Sequence, residues 1–371
     1  MYNSWVEISK SAILYNLKQY QKIVGKGVEV MPIVKSNAYG HGMIEVTKLI
    51  LPKVKWLGVV SLGEALELRK HNVKKRIFVL SYAQSRYLKE GIKQNIDLPI
   101  YSLSYAKLIS GTAKKLKKTA KVHIKIDTGT TRVGILVKDA VEFIKQVDKL
   151  PNIKIEGIYS HFAASEENVG YTKYQLKVFN QILKQVQNDK IKIPIVHFGC
   201  SAASLVEPQA HFNLIRLGLS LYGLWPSEQA EKIALKHYPW LSLEPALTWK
   251  TKVLQVKIIS KGTKVGYGCS YTAPRRLKMA VIAVGYWEGY DRHLSNNGEV
   301  IVKNKKCPVI GRVCMNLTMI DVSKIKSIKA GDEVELVGKK NTADEMADKL
   351  RTINYEVVTR INSELERVYK K

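Results

Sequence analysis

Short apolar runs alternate with segments of helical periodicity along the first two thirds of the chain. Between these runs, segments such as 61–72 and 171–189 carry apolar residues three and four positions apart, which predicts amphipathic helices. Eight runs are typical of buried strands: VEVMPIVK (28–35), KWLGVV (55–60), RIFVLS (76–81), DLPIYS (97–102), KVHIKID (121–127), IKIEGIYS (153–160), IPIVHF (193–198) and FNLIRL (212–217). Near-continuous apolar strands joined by helices predict a parallel sheet that is buried on both faces.

The number of these strand–helix units favours a closed barrel. An open doubly wound sheet usually has fewer strands and often carries a glycine-rich phosphate turn, whereas neither GxGxxG nor GxxxxGK[ST] occurs in this chain. We therefore predict an α/β fold whose N-terminal domain, residues 1–235, is a (β/α)8 TIM barrel.

A different pattern begins after about residue 235. β-rich segments separated by glycine and asparagine turns follow, and only TADEMADKLRTIN near the end indicates a helix. We predict that residues 236–371 form a second, mainly antiparallel β domain. The start of the chain, roughly its first ten residues, is a candidate to pair with that domain.

The composition is that of a folded globular protein, with 46% hydrophobic and 25% charged residues. The 60 Lys and Arg residues against 32 Asp and Glu give a net charge of +28, which raises nucleic acids as partners. The basic residues are spread over the whole chain, however, and no helix-turn-helix, zinc-finger or RNP pattern accompanies them, so we expect no nucleic-acid partner. The four cysteines form no CxxC pair and no Cys/His cluster with zinc spacing, and we expect no bound metal.

The chain shows no sequence signal for a membrane. No apolar run approaches the roughly 18 residues that a spanning helix needs. The segment MYNSWVEISKSAILYNLK carries lysines and a glutamate where a signal peptide has an apolar stretch. We therefore predict a cytoplasmic protein that has no membrane partner.

Polar side chains recur where the predicted barrel strands end: Lys35, Lys125, Asp127, His161, Ser201 and Arg216. Because active sites of barrels of this kind lie at the carboxyl ends of the strands, these side chains are expected to face one site. A lysine that closes an apolar strand is buried, which lowers its pKa and makes its amine a nucleophile toward carbonyls, as a Schiff-base lysine requires. The alternative for Lys35 is a lysine that pairs with an acid at the barrel rim.

Nine motifs lie in the order and spacing of one enzyme family: PIVKSNAYGHG, KIDTGTTRVG, GIYSHFAASEE, HFGCSAA, IRLGLSLYG, VGYGCSYTA, VGYWEGYDRHL, IGRVCMN and TINYE. In these motifs the chain resembles the bacterial alanine racemases, pyridoxal-phosphate enzymes of fold type III. The resemblance covers essentially the whole chain.

The resemblance implies how the cofactor, pyridoxal 5'-phosphate, would be held. Lys35 would bind it covalently. Arg216 would contact the pyridine nitrogen, and His161 would hydrogen-bond Arg216. An arginine cannot take up the proton, so the ring nitrogen stays unprotonated and the cofactor becomes a weaker electron sink. The phosphate would be bound by Tyr39, Ser201, the backbone N–H groups around Gly218 and Leu219, and Tyr355.

The resemblance also implies a homodimer with shared active sites and two bases on opposite faces of the substrate. Lys35 would serve the D enantiomer, and Tyr267 of the partner subunit would serve the L enantiomer. A tyrosine with an unperturbed pKa near about 10 is a poor base at neutral pH. We therefore expect nearby cations, namely Arg132 and the pair of Arg216 and His161, to lower the pKa of Tyr267.

Further positions carry implied roles. Arg132 would orient the substrate carboxylate and the cofactor phenolate, and the backbone N–H of Met315 of the partner subunit would also receive the carboxylate. Lys125 matches a lysine that is often carbamylated in relatives, which turns a cation into an anion that holds the arginine. The access corridor would be lined by Tyr286, Arg292 and Glu166.

The chain departs from the family pattern at a few positions. TGTTR replaces the usual TGMGR next to Arg132, so we expect a stiffer turn there. Asn316 and Glu166 each replace an aspartate, and IRLG replaces the commoner IRPG. None of these changes touches the two implied bases.

The function that this resemblance implies is alanine racemisation, which supplies D-alanine for peptidoglycan. One alternative is a racemase of another small amino acid such as serine. An amino-acid decarboxylase of the same fold is a further alternative, although such enzymes generally place an acid opposite the pyridine nitrogen, where this chain has Arg216. The last alternative is a non-catalytic pyridoxal-phosphate carrier, for which the β domain would have no purpose.

Overall fold

The computed structural model describes residues 3–371, which divide into two compact units. The barrel unit comprises Leu14–Ser36 and Met43–Glu244, and the β unit comprises the start of the chain through Ile13, Asn37–Gly42 and Pro245–Lys371. The expected boundary at 235/236 lies inside a helix, and the units separate instead between Glu244 and Pro245.

Helices and strands alternate in the first part of the chain, and strands dominate the second. The helices are α1 (Lys10–Val24), α2 (Lys35–Tyr39), α3 (Met43–Ile50), α4 (Leu62–Lys70), α5 (Ser85–Lys93), α6 (Leu103–Lys115), α7 (Ala140–Asp148), α8 (Val169–Asn188), α9 (Ser201–Val206), α10 (Glu228–His237), α11 (Ala343–Leu350) and α12 (Asn354–Thr359). The strands are β1 (Ser4–Ser9), β2 (Glu29–Pro32), β3 (Trp56–Ser61), β4 (Arg76–Tyr82), β5 (Leu98–Ile100), β6 (Ala120–Asp127), β7 (Ile135–Leu136), β8 (Ile153–Tyr159), β9 (Ile195–His197), β10 (Leu214–Leu217), β11 (Leu247–Ile259), β12 (Lys264–Val265), β13 (Tyr271–Thr272), β14 (Leu277–Ile282), β15 (Glu299–Val302), β16 (Lys305–Pro308), β17 (Thr318–Asp321), β18 (Glu333–Val337) and β19 (Glu366–Lys370).

All eight predicted barrel strands form, and they close into a ring of parallel neighbours. Ladders join β10 to β2, β3 to β4, β5 to β6, β6 to β8 and β8 to β9. Isolated parallel bridges, Ile33 with Gly58 and Phe78 with Asp97, join β2 to β3 and β4 to the start of β5. The ring is completed where the N–H of Arg216 in β10 donates to the Gly199 carbonyl oxygen after β9, at 2.9 Å.

The barrel strands are buried on both faces, and side-chain oxygens begin several of the helices. In β6, seven of the eight residues are buried, as a parallel sheet covered by helices requires. The helices α4, α6 and α8 each begin with an N-cap side chain, from Ser61, Ser102 and Asn168. The side-chain oxygen of each cap accepts the backbone N–H three residues later, which would otherwise lack an acceptor in the first turn.

The β unit is built on a mainly antiparallel sheet in the order β16–β15–β18–β11–β1–β19, with β14 paired to β11 and β17 paired to β14. β1, from the start of the chain, pairs antiparallel with β11 and parallel with β19. The prediction of a single helix in this part was incomplete, because α12 follows α11. α12 is short and rich in β-branched residues, which weakens its helical signal in the sequence. Within residues 3–371, no helix combines the length and apolar character required to cross a bilayer.

Candidate active site

Lys35 lies just beyond β2, at the carboxyl end of the barrel. Burial lowers the pKa of its amine; the Arg132 and Arg216 cations lower the pKa further, and Glu64 opposes them. The Glu64 carboxylate also accepts the backbone N–H groups of Ser36 and Val60, each at 2.7 Å. A lysine whose pKa is lowered has more of its amine in the nucleophilic neutral form. Glu64, which was not predicted as a site residue, fixes the backbone next to that amine.

The turn after Lys35 is left-handed. Residues 36–39 have φ between +53° and +54°, a conformation that L-residues rarely adopt in succession because Cβ crowds the following carbonyl oxygen. Within the β unit, Arg367 donates to the Gly40 carbonyl oxygen at 3.1 Å, and the Tyr369 hydroxyl donates to that of His41 at 2.8 Å. A Cβ at Gly40 would collide with the Val358 carbonyl oxygen. The last strand of the chain therefore holds this strained turn in place.

Arg216 is buried in β10, and the barrel backbone fixes its guanidinium. Nη1 donates to the carbonyl oxygen of His197 at 2.7 Å and lies 3.1 Å from Nδ1 of the same residue. Nη2 donates to the carbonyl oxygens of Ser160 and Phe198 at 2.8 and 3.0 Å. The described part of the chain offers no acceptor to Nε–H, so this donor is available to a ligand.

His161 lies within hydrogen-bond distance of Arg216. Its Nδ1 lies 3.4 Å from Nη2, whereas His197 makes the shorter contact. Burial lowers the pKa of His161 well below its usual value, and the nearby cations add to this effect, so the imidazole is neutral. His197 was not predicted as a site residue. The available signal was its place at the end of β9, the strand beside Arg216.

Lys125 and Asp127 project from β6 next to the TGTTR loop. The Asp127 carboxylate accepts the backbone N–H groups of Gly129, Thr131 and Arg132 at 2.9 to 3.0 Å. Burial alone would raise the pKa of Asp127, but these hydrogen bonds outweigh it and lower the pKa. Thr131 has a φ of +52°, so a β-branched residue occupies a left-handed position. Asp127 thus fixes the backbone that carries Arg132.

Two clusters match the implied phosphate-binding residues. In the barrel unit, the Ser201 hydroxyl oxygen accepts the N–H of Gly218 at 3.0 Å, which leaves its own hydrogen to donate to an anion. Leu219 follows at the start of a short 3-10 turn. In the β unit, the ring centroids of Tyr39 and Tyr355 lie 6.4 Å apart.

These groups fit pyridoxal phosphate. The Lys35 amine has a lowered pKa, Nε–H of Arg216 has no acceptor within residues 3–371, and the Ser201 hydroxyl keeps its hydrogen for a phosphate. No group of three His, Cys, Asp or Glu residues within 3–371 has the geometry of a metal site.

The remaining predicted residues of the β unit lie at its surface. Tyr267 is 72% exposed and Met315 is 55% exposed, and Tyr286 and Arg292 are also exposed. Glu166 belongs to the barrel unit, in the loop before α8, where its carbonyl oxygen accepts the Ser227 hydroxyl at 2.9 Å.

One departure from the family pattern has a structural reason. The side-chain amide of Asn316 donates to Oε1 of Glu288 at 2.7 Å, and Oε2 of that buried carboxylate accepts the Gly285 N–H at 2.8 Å. An aspartate at 316 would place a second carboxylate against Glu288. Asparagine is therefore the residue that suits this neighbour.

Two family models match the chain: the alanine racemase N-terminal domain over residues 8–226 and the alanine racemase C-terminal domain over residues 246–369. The alanine racemase of Methanococcus maripaludis is 40% identical over 372 residues, which cover 98% of each chain. That of Desulforamulus reducens is 38% identical over 369 residues, again with 98% of each chain covered.

Solved structures give the same result. Alanine racemase from Clostridium difficile matches with a TM-score of 0.94 at 34% identity, covering 100% of this chain and 96% of that one. The Bacillus anthracis enzyme with bound L-Ala-P matches with a TM-score of 0.90 at 31% identity, with the same coverage. The resemblance carried by the nine motifs and the predicted fold class are confirmed. The chain therefore belongs to the alanine racemase family.

Proposed function

We propose that this chain is a cytoplasmic, pyridoxal-phosphate-dependent alanine racemase that interconverts L- and D-alanine and so supplies D-alanine for peptidoglycan. The observation that carries the proposal is Arg216. Four of its donors are held by the barrel, and no described residue accepts from Nε–H. An arginine in this position suits a reaction that returns the proton to Cα rather than one that draws electrons fully into the ring.

The predicted site residues would divide the work of binding. When bound, pyridoxal phosphate supplies an electron sink that makes the α-proton of alanine acidic. Lys35 would hold the group through Nζ. Ser201 and the backbone N–H of Leu219, in the turn that begins at Gly218, would bind its phosphate together with Tyr39 and Tyr355. Arg132, whose backbone Asp127 fixes, would bind the alanine carboxylate as a charge-assisted pair. The N–H of Met315 of the partner subunit would donate to the same carboxylate.

Two proton-transfer groups on opposite faces of Cα account for inversion. Nζ of Lys35 would move the proton on the D face, and the hydroxyl of Tyr267 of the partner subunit would move it on the L face. The lowered pKa of Lys35 supports its role, because more of the amine is free to accept a proton.

Lys125 would be carbamylated. Burial lowers the pKa of this lysine well below its usual value, and the charges of Arg216 and Arg132 lower it further. The neutral amine is the form that attacks carbon dioxide. The carbamate would place an anion beside two arginines where an ammonium would repel them.

The protein would act as a homodimer. Tyr267, Tyr286, Trp287, Met315 and Leu317 are exposed apolar side chains of the β unit. Such a concentration of apolar surface is typical of an interaction site. A dimer would cover this surface and bring Tyr267 and Met315 to the partner's barrel, and Tyr286, Arg292 and Glu166 would then line the access corridor.

The decisive experiment is Tyr267→Phe, which removes the hydroxyl and keeps the ring. We expect the absorbance of the bound cofactor to persist and racemisation to fall by about a hundredfold or more. Exchange of the α-proton in deuterated water should be lost more severely for L-alanine than for D-alanine. Tyr174→Phe, which alters an exposed tyrosine on α8, should leave both rates unchanged.

Two results would contradict the proposal. Undiminished racemisation by Tyr267→Phe would remove the second base. A wild-type protein that binds the cofactor but leaves the optical rotation of L-alanine unchanged would be a carrier and not a racemase.

A further inference from the structure

A chain of buried polar side chains leads away from Arg216 through the barrel interior. His197 Nδ1 lies 3.1 Å from Nη1 of Arg216, and Nε2 of the same imidazole lies 2.9 Å from Nδ1 of His123. Nε2 of His123 lies 3.2 Å from Oδ2 of Asp97, which is ion-paired with Arg76. His197, His123 and Asp97 have no solvent exposure. We call the four residues Arg216, His197, His123 and Asp97 the relay.

The two ends of the relay fix the proton on every nitrogen between them. Arg216 can only donate, so Nδ1 of His197 must accept, and the proton of this neutral imidazole is on Nε2. Nε2–H then donates to Nδ1 of His123, which places the proton of His123 on its own Nε2. That proton points to the Asp97 carboxylate, which can only accept when ionised. All hydrogen bonds of the relay therefore run in one direction.

Aromatic rings surround the two imidazoles. The His123 ring lies 4.4 Å from the centroid of Phe78 and 5.8 Å from that of Trp56, and His197 stacks on Tyr159 at 4.8 Å. Burial lowers the pKa of His197 well below its usual value, and His123 and Arg216 add to this effect, so His197 is neutral at physiological pH. If one imidazole carried its proton on the other nitrogen, two groups of the relay would be left without a hydrogen-bond partner, and such an apolar environment offers no water to replace it.

We propose that Asp97 and His123 are positioning residues for Arg216: they fix the tautomer of His197 and so hold the guanidinium in the orientation that leaves Nε–H for the pyridine nitrogen. The inference rests on the proposed function. If His197 carried its proton on Nδ1, an N–H would face Nη1–H of Arg216, and the guanidinium would have to turn away from it. The relay thus extends the active site from the carboxyl end of the barrel to the start of β5.

Packing alone does not require these residues. A buried polar network is often no more stable than apolar side chains of the same volume, so its presence indicates a directional role. Glu156 is a useful contrast, because this buried carboxylate also pairs with Arg76, at 3.2 Å, but makes no contact with either histidine of the relay.

Two substitutions of His123 separate the directional role from packing. His123→Phe keeps an aromatic ring against Phe78 and Trp56 but removes the acceptor for His197 Nε2–H. His123→Asn loses the ring, but its amide oxygen can take the place of Nδ1 as acceptor. The relay predicts that His123→Asn works better than His123→Phe, and a packing role predicts the reverse. Glu156→Gln, outside the relay, is the matched control.

The first measurement does not depend on activity. Two-bond ¹H–¹⁵N correlation spectra of the protein labelled in its histidines, recorded with and without cofactor, distinguish Nε2–H from Nδ1–H imidazoles. We expect Nε2–H for both His123 and His197 in the wild type and in Glu156→Gln. His197 should keep this tautomer in His123→Asn and lose it, at least in part, in His123→Phe. An Nδ1–H tautomer for either histidine in the wild type would overturn the relay without any variant.

The second measurement is racemisation. We expect kcat to fall about tenfold in His123→Phe, the equivalent of one unsatisfied donor, and to stay within about threefold of wild type in His123→Asn and Glu156→Gln. A lower kcat in His123→Asn than in His123→Phe would overturn the inference. A wild type that fails to racemise alanine would contradict the proposed function alone, because the tautomer spectra would still decide whether the relay exists.

Discussion

The side-chain nitrogen of Lys125 lies 4.6 Å from the centroid of the Tyr159 ring, inside the barrel. A cation at this position would gain from the ring, but burial and the charges of Arg216 and Arg132 lower the pKa of Lys125 well below its usual value, and Asp127 opposes them only in part. The amine therefore has an increased neutral fraction, next to two arginines that favour an anion.

We predict that Lys125 takes up carbon dioxide. Protein supplied with ¹³C-bicarbonate should show one carbamate carbon resonance, which Lys125→Ala should lose. Lys121→Ala, a change on the same strand, should keep it. A wild-type spectrum without this resonance would leave Lys125 as an amine and contradict the carbamylation proposal.

Thr131 carries strain that its neighbour Thr130 does not. Thr131 has a φ of +52°, whereas Thr130 donates its hydroxyl to the His161 carbonyl oxygen at 2.6 Å. We predict that Thr131→Gly raises the free energy of unfolding by about 1 kcal/mol, because glycine adopts this conformation without a steric cost. Thr130→Gly should lower it by about 1 kcal/mol through the lost hydrogen bond. Urea denaturation of the two variants measures both, and a loss of stability in Thr131→Gly would show that the turn is not strained.

The barrel was predictable because its strands are apolar on both faces, which leaves a run of hydrophobic residues such as RIFVL in the sequence. Arg216 and Lys35 could be assigned as site residues because each ends or interrupts such a run. Their roles toward substrate stay predictions.

Other features depend on contacts that are remote in the sequence. The left-handed turn after Lys35 has little signal in the local sequence, which offers only Asn37 and the following glycines. The turn is held by Arg367 and Tyr369 from the last strand. His197 gave no signal by itself, because a histidine at a strand end gains a partner only when the neighbouring strand is known. The pairing of β1 with β11 and β19 joins positions at least 239 residues apart in sequence, beyond the reach of local periodicity.

The hydrogen bond between Asn316 and Glu288 makes the stability of the protein sensitive to an added charge at position 316. We predict that Asn316→Asp lowers the free energy of unfolding at pH 7 by about 2 kcal/mol, because two carboxylates would lie where an amide now donates to a buried oxygen. Glu288→Gln in the same protein should recover most of this loss, since the repulsion is then removed. Equal stability of Asn316→Asp and wild type in urea denaturation at pH 7 would contradict this prediction.

His41 should make the protein sensitive to acid. It is fully buried, and its Nδ1 lies 3.1 and 2.9 Å from the carbonyl oxygens of Ala38 and Tyr39. Burial lowers the pKa of His41 to about 4, whereas an unfolded histidine titrates near about 6.5. The unfolded chain therefore binds more protons below that pH, so the stabilisation is complete above about pH 6.5 and is lost as the pH falls toward 4. From these values we expect His41 to account for a loss of about 2 kcal/mol between pH 7.5 and 5.

His41→Asn tests this expectation, because an amide N–H can replace Nδ1–H as donor to the same carbonyl oxygens but does not titrate. The variant should lose about 2 kcal/mol less than wild type over the same pH range, as measured by urea denaturation at each pH. If His41→Asn kept the full pH dependence, the buried His161 and His197, whose pKa values are lowered in the same direction, would have to supply it.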